Sequence, residues 1–197
     1  PHLHPEDLLA LMAAEPPTYA LGVPTIWTSM LELLDRDPQR YRLPPGIRML
    51  VGGAPVPEAL IRGFARHGAQ VVHGWGMTEM SPLGTISYLK PELQALAPEQ
   101  RFARYALAGV PVALTEMRLV GDDGRECPWD GQTLGEIQVR GPFITARYHA
   151  HPVEPEKFTA DGWLRTGDVA AIDAHGYVRI ADRTKDLIKS GGDWISP

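Results

Sequence analysis

At 197 residues, with 44% hydrophobic and 22% charged side chains, the chain has ordinary globular composition and material for a sizeable core. Its 19 basic and 24 acidic groups leave a net charge of −5, which excludes the footprint of a nucleic-acid binder, and no Lys/Arg run marks a membrane surface. Cys127 stands alone, so no internal disulfide can form; no apolar run is long enough for a transmembrane segment and no signal peptide precedes the first element, so a cytoplasmic setting is expected.

In chain order, Pro5-Glu6-Asp7 is a good first helical turn, with acidic residues at the positive end of the helix dipole and Leu8, Leu9, Leu11 and Met12 as its apolar stripe. Residues 18–21 read as a short strand, 25–34 as a helix and 47–51 as a buried strand. Pro57 opens a third helix, with Leu60, Ile61 and Phe64 at helical spacing and Gly68 as its C-terminal cap. A strand at 70–72 follows. This strand-helix-strand alternation predicts parallel pairing in an α/β layer. A segment rich in Glu, Gln and Arg at 90–105 reads as helix and as a subdomain boundary.

Past residue 105 the pattern becomes partly alternating, with strands at 115–120, 134–140, 168–173 and 177–181. Asp122-Asp123-Gly124 and Asp173 to Gly176 are hairpin-type connections. This half predicts a small antiparallel sheet or barrel. Gly (20) and Pro (19) are spread throughout, which suggests many tight turns between short elements. The start at Pro1 without methionine, and the stop at Pro197 after a Gly-rich turn, read as cut ends.

Four Gly-containing segments follow strands. Gly52-Gly53-Ala54-Pro55 has residues small enough for a flat ring or phosphate to reach backbone, though a plain turn into the next helix has the same composition. His73-Gly74-Trp75-Gly76-Met77-Thr78-Glu79 brackets an aromatic with two glycines. Trp75 can lie on a nucleobase, and Thr78 can donate to a phosphate oxygen. Glu79 can sit near a polyphosphate only through a metal, since adjacent anions repel. The alternative is a capping turn with Trp75 in the core. In Gly162-Trp163-Leu164-Arg165-Thr166-Gly167-Asp168, an Asp after a Thr-Gly turn can accept from the vicinal hydroxyls of a ribose, or simply form an Asx turn. Asp182 to Gly192 places five charges in its first eight residues before a Gly-Gly turn; it is either solvated surface or a cationic linker that meets a phosphate and bends. The histidines show no metal-type spacing to cysteine, and neither a Gly-x-Ser-x-Gly elbow nor a Gly-x-x-x-x-Gly-Lys-Ser/Thr loop is present.

Taken in order, Gly-Gly-Ala-Pro at 52–55, Gly-Trp-Gly-Met-Thr-Glu at 74–79, Gly-Trp-Leu-Arg-Thr-Gly-Asp at 162–168 and Asp-Arg-x-Lys-Asp-x-Ile-Lys-x-Gly-Gly at 182–192 resemble the adenylate-forming superfamily of acyl-CoA synthetases, luciferases and peptide-synthetase adenylation domains. Each piece is weak, but the ordered set is specific and covers essentially the whole chain. Val23-Pro24-Thr25 resembles a family segment lining the acyl pocket, and the closing stretch is most similar to medium- and long-chain fatty acyl-CoA synthetases.

The resemblance implies part of a layered α/β N-terminal domain, with its adenine and metal loop (1–95), and a small β-rich, barrel-like subdomain with a ribose-binding Asp (96–181). A hinge (182–187) and the start of a C-terminal lid domain (188–197) would follow. It implies the two half-reactions of a fatty acid–CoA ligase, with ATP, Mg²⁺ and CoA as cosubstrate. Gly53, Ala54 and Pro55, with Gly74, Trp75 and Gly76, would line the adenine slot. Thr78 would hold a phosphate and Glu79 the metal. Asp168 would bind the ribose hydroxyls, helped by Arg183. Lys185 and Lys189 would approach from the linker side, with Thr78, Glu79 and Lys185 the catalytic set, and Gly191-Gly192 would border the pantetheine tunnel. Partners would be small molecules, with room for a homo-oligomer.

Two departures stand out. Trp75 replaces a frequent tyrosine, which keeps stacking and loses a phenol hydroxyl. The family's upstream phosphate loop and its C-terminal catalytic lysine are absent from these 197 residues, so the chain alone is expected to be nearly inactive. Competing readings are an adenylation enzyme that loads a carrier protein or an aryl acid, a non-catalytic adenylate-binding module, and a fragment that dimerises through an exposed core surface.

Overall fold

The structure is a computed structural model that describes residues 3–152 and 154–183, together with the backbone of 188–190 and 193–195. The chain forms two compact units, one of residues 1–75 and 87–106 and the other of 76–86 and 107–197.

In the first unit, helices α1 (Pro5–Ala14) and α2 (Pro24–Arg36) open on prolines, whose fixed φ suits a first turn where no N–H partner is needed. Strands β1 (Tyr19–Gly22), β2 (Arg48–Val51) and β3 (Gln70–Gly76) pair in parallel, with Gly22 beside Val51 and Val51 beside His73. Helix α3 (Glu58–Arg66) follows β2; Pro57 is its N-cap rather than its first residue, and Gly68 follows it at φ +75°. Helix α4 (Pro98–Ala106) stands in the segment read as helix at 90–105, preceded by a 3₁₀ turn at Pro91–Leu93. Ile47, Met49, Val51, Phe64, Met30 and Leu34 are fully buried between sheet and helices. Burying such a side chain contributes about 1.5–3 kcal/mol. Gly63 lets α3 lie directly on the Leu31 side chain of α2.

One boundary differs from the sequence expectation. β3 does not stop at residue 72 but continues to Gly76, so His73 to Gly76 is strand and not loop. Two glycines accommodate the neighbouring backbone there. A Cβ on Gly52 would lie 2.5 Å from the carbonyl oxygen of Gly74, so the two backbones approach where only hydrogen fits. The Gly52 N–H also donates to the Gly22 carbonyl at 3.4 Å, which ties β1 to the same spot.

In the second unit, β4 (Leu83–Ile86) pairs with β5 (Val110–Pro111), and β6 (Glu116–Val120), β7 (Gly135–Arg140), β8 (Leu164–Ile172) and β9 (Val178–Arg183) form an antiparallel sheet in that order. Leu119, Ile137, Val139, Val169 and Ile172 are fully buried. The Asp173–Gly176 hairpin forms as expected, with the Asp173 carboxylate accepting the N–H groups of His175 and Tyr177. Two short strands, β10 (Ile188–Ser190) and β11 (Asp193–Ile195), pair antiparallel near the end.

Strand β8 starts at Leu164 rather than 168, and Thr166-Gly167-Asp168 is a bulge within it rather than a turn before it. Arg165 faces Gln138 and Val169 faces Glu136, so three residues stand opposite Ile137. Glu136 secures the bulge, accepting from the Gly167 N–H and from Arg165, both at 3.3 Å, and Thr166 Oγ1 donates to the Ile137 carbonyl at 2.8 Å. Gly167 sits at φ +75°, which favours glycine.

Gly52→Ala should lower unfolding free energy by about 1–3 kcal/mol, because the methyl group must displace backbone rather than a flexible side chain. Urea unfolding with an unchanged midpoint would show that β2 and β3 do not approach so closely. A pH effect follows from the β6–β7 connection. The backbone N–H of Thr133, then its hydroxyl, then the N–H of Gln132 donate to Asp130 and hold its carboxyl down at about 2. The folded value lies below the free value of 3.8, so this charge stabilises the loop above 3.8 and the effect is lost as pH falls through about 2. Carboxyl NMR titration should give a midpoint near 2 that rises in Thr133→Ala; a midpoint of 3.8 in the unaltered chain would remove the cap.

Candidate functional site

In the first unit the three parallel strands end on one edge, the usual ligand edge of an α/β sheet. β1 leads into Val23, β2 into Gly52–Pro55, and β3 carries Gly74 and Trp75. Gly53 takes φ +81°, and a Cβ there would lie 3.6 Å from a Val23 methyl group. Gly53, Ala54 and Pro55 are exposed and Trp75 is half-buried. The edge therefore offers bare backbone and an indole, surfaces a flat ring can use. His73 is buried in the strand and donates through Nδ1–H to the Ala106 carbonyl at 3.0 Å.

In the second unit, Thr78, Glu79 and Met80 form a single 3₁₀ turn directly after β3. Met80 is fully buried and anchors the turn, leaving Thr78 exposed and Glu79 half-buried. The Tyr148 hydroxyl donates to Glu79 Oε1 at 2.7 Å, and the Thr145 N–H donates to the Glu79 carbonyl at 2.8 Å. Accepted by that carboxylate, the Tyr148 phenol is pushed up to about 12. Tyr148 and Thr145 escaped the sequence reading because no local motif links positions 69 residues apart.

Asp168 stands in the β8 bulge, its side chain only 14% exposed, with its N–H donating to Thr166 Oγ1 at 3.1 Å. Arg183 is its register partner on β9 and reaches Asp168 Oδ1 with Nε at 3.4 Å. The structure thus brings Asp168 and Arg183 together, as it does Gly53 and Val23. Lys185 and Gly191-Gly192 lie outside the described residues, and of Lys189 only the β10 backbone is described.

A cleft of about 620 Å³ opens elsewhere in this unit, lined by Arg118, Asp161, Arg165 and Glu136 among others. Its charges pair internally: Arg118 with Glu126 and Asp161, Arg165 with Glu136. Arg118 and Arg140 stack on Trp163 at 4.4 and 4.6 Å, so this tryptophan of the third motif holds the sheet together. With its cations engaged, the cleft offers a phosphate less than the strand-end residues do. Burial pushes the Cys127 thiol up, which makes it a poor nucleophile. Among the described residues no three His, Cys, Asp or Glu side chains cluster as a metal cage, and no helix is long and apolar enough to cross a membrane.

The AMP-binding enzyme family model matches residues 1–149. The chain is 41% identical over 197 residues to the long-chain-fatty-acid–CoA ligase of Thermus thermophilus, covering all of this chain and 36% of that protein. It is 42% identical over the same length to the 3-methylmercaptopropionyl-CoA ligase of Ruegeria pomeroyi, again covering 36% of the relative. Among solved structures, O-succinylbenzoate coenzyme A synthetase from Bacillus subtilis, in complex with ATP and magnesium ion, matches at a TM-score of 0.77 and 30% identity, covering 98% of this chain and 37% of that one. The chain therefore spans little more than a third of the length of these relatives. Its mixed α/β architecture is that of the N-terminal domain of adenylate-forming enzymes, and the chain belongs to the AMP-binding enzyme family.

Proposed function

We propose that the protein carrying this chain is an ATP-dependent fatty acid–CoA ligase. A carboxylate oxygen attacks the α-phosphorus of ATP and pyrophosphate leaves; the CoA thiol then attacks the acyl carbonyl and AMP leaves. The observation that carries this reading is the turn at 78–80, which presents an exposed hydroxyl and a carboxylate with one oxygen already engaged, directly after a Gly-Trp-Gly strand end.

The donor set suits magnesium. That ion keeps several waters and takes one or two carboxylates plus substrate phosphates, so a single carboxylate such as Glu79, with one oxygen engaged by Tyr148, fits a metal that arrives with the nucleotide. Held by Glu79, it would offset polyphosphate charge as the anionic carboxylate approaches. Thr78 would donate to a phosphate oxygen. Gly53, Ala54 and Pro55, with Gly74, Trp75 and Gly76, would take the adenine, and Trp75 would stack without offering a phenol. Asp168, paired with Arg183, would accept from both ribose hydroxyls. Lys185 and Lys189 would bring positive charge from the linker, with 182–187 as hinge and 188–197 as the start of a lid. A cytoplasmic setting suits a chain whose single cysteine forms no disulfide.

A fatty acid is favoured by the Thermus thermophilus relative, and an aryl acid by the Bacillus subtilis synthetase. Carboxylate-dependent ATP–pyrophosphate exchange on the full-length protein decides between them, with acetate, medium and long fatty acids and an aryl acid as the panel and the 197-residue chain as control. Exchange driven by fatty acids supports the reading; exchange with the aryl acid alone replaces the substrate class. No exchange with any acid leaves only an adenylate-binding module.

In the full-length protein, Glu79→Gln should lower exchange on the order of 100-fold, while fatty-acid affinity stays within about twofold. Undiminished exchange would remove the metal role. Asp168→Ala should weaken ATP and AMP alike, by about 10- to 100-fold, since each loses the same charge-assisted hydrogen bonds. Calorimetry that finds a loss of CoA affinity alone would count against the ribose role.

A further inference from the structure

We propose that Tyr148 is a positioning residue for Glu79, an inference that rests on the metal role given to Glu79 above. Three hydrogen bonds tie segment 143–148 to segment 79–81. The Thr145 N–H donates to the Glu79 carbonyl at 2.8 Å, Ser81 Oγ donates to the Phe143 carbonyl at 3.0 Å, and Tyr148 donates to Glu79 Oε1 at 2.7 Å. The first two fix the backbone of the turn. Only the third acts on the carboxylate itself.

The phenol ring has an anchor besides its acceptor. The Tyr148 ring meets buried Phe158 edge to face, centroids 6.0 Å apart and planes at 68°. A carboxylate has two oxygens that only accept. Oε1 is taken by the phenol, and among the described residues Oε2 accepts from no protein group. One oxygen is held and one remains for a cation. A phenol suits this task because it orients the carboxylate without cancelling its charge, which an Arg or Lys in the same place would do. A carboxylate that ligates a metal needs such an outer partner to fix its orientation.

The test uses the full-length protein with ATP at stepped Mg²⁺ concentrations, followed by calorimetry, beside the KM for fatty acid in the exchange assay. Tyr148→Phe keeps the ring on Phe158 and removes only the hydroxyl. It should raise the Mg²⁺ concentration for half-maximal ATP binding by about 10- to 100-fold and leave the fatty-acid KM unchanged. Added to Glu79→Gln, it should cause no further rise, because its only route to the metal is gone. Tyr148→Leu should show the same Mg²⁺ shift with a lower Tm, which separates packing from positioning. A normal Mg²⁺ requirement in Tyr148→Phe, while Glu79→Gln is impaired, would overturn the inference and leave the site reading standing. If Glu79→Gln itself binds MgATP normally, the metal role falls and this inference falls with it.

Discussion

At the C-terminal end of β2 the chain has room for a hydrogen atom and nothing more. The Gly74 carbonyl lies where a side chain on residue 52 would begin, and the Gly52 N–H reaches across to Gly22 on β1. The exposed stretch Gly53-Ala54-Pro55 comes next, with Gly53 at φ +81° and close to a Val23 methyl group. A bulkier residue at 52 would push apart the strand ends that carry every candidate binding residue of the first unit. The glycines are thus a consequence of bringing three backbones to one edge, and the absence of side chains is what leaves that edge open to a ligand.

Similar economy governs the second unit. Gly76 lies directly against the backbone of residues 82–84, so the chain can fold back at once and present Thr78 and Glu79 on a one-turn 3₁₀ helix pinned by buried Met80. Asp168 is presented by the opposite device, an excess of residues. Three residues of β8 stand opposite Ile137, and the resulting bulge turns Asp168 toward Arg183 on β9.

Elements with strong local signals were legible in the sequence. Pro5, the stripe of Leu60, Ile61 and Phe64, and the Asp173–Gly176 turn each encode their conformation within a few residues, and the structure has helix, helix and hairpin there. Two boundaries failed for a common reason. The ends of β3 and β8 depend on what lies across the sheet: β3 runs on past the close approach of Gly52 and Gly74, and Glu136 carries the other through a Gly that reads locally as a turn. Gly in a strand pattern marks a bulge or a close backbone approach as readily as a stop. Of the site, the ordered motifs were legible and their supporting residues were not. Tyr148, Thr145 and Glu136 act over long sequence separations and belong to no motif.

The distribution of charge separates what holds the fold from what is available to a ligand. Arg118 serves Gln138, Glu126 and Asp161 and the face of Trp163; Arg140 binds Glu116 and stacks on the same ring; Arg165 is held by Glu136. A cation with such partners must break them before it can meet a phosphate, and loss of a buried or stacked contact offsets much of the Coulombic gain. Arg183 is different: its side chain is 66% exposed and its contact to Asp168 is long, so it can turn to an incoming anion at small cost. Glu79 follows the same logic with the sign reversed. Among the described residues its side-chain partner is a phenol, which engages one oxygen of this half-buried carboxylate and leaves the other open to a cation.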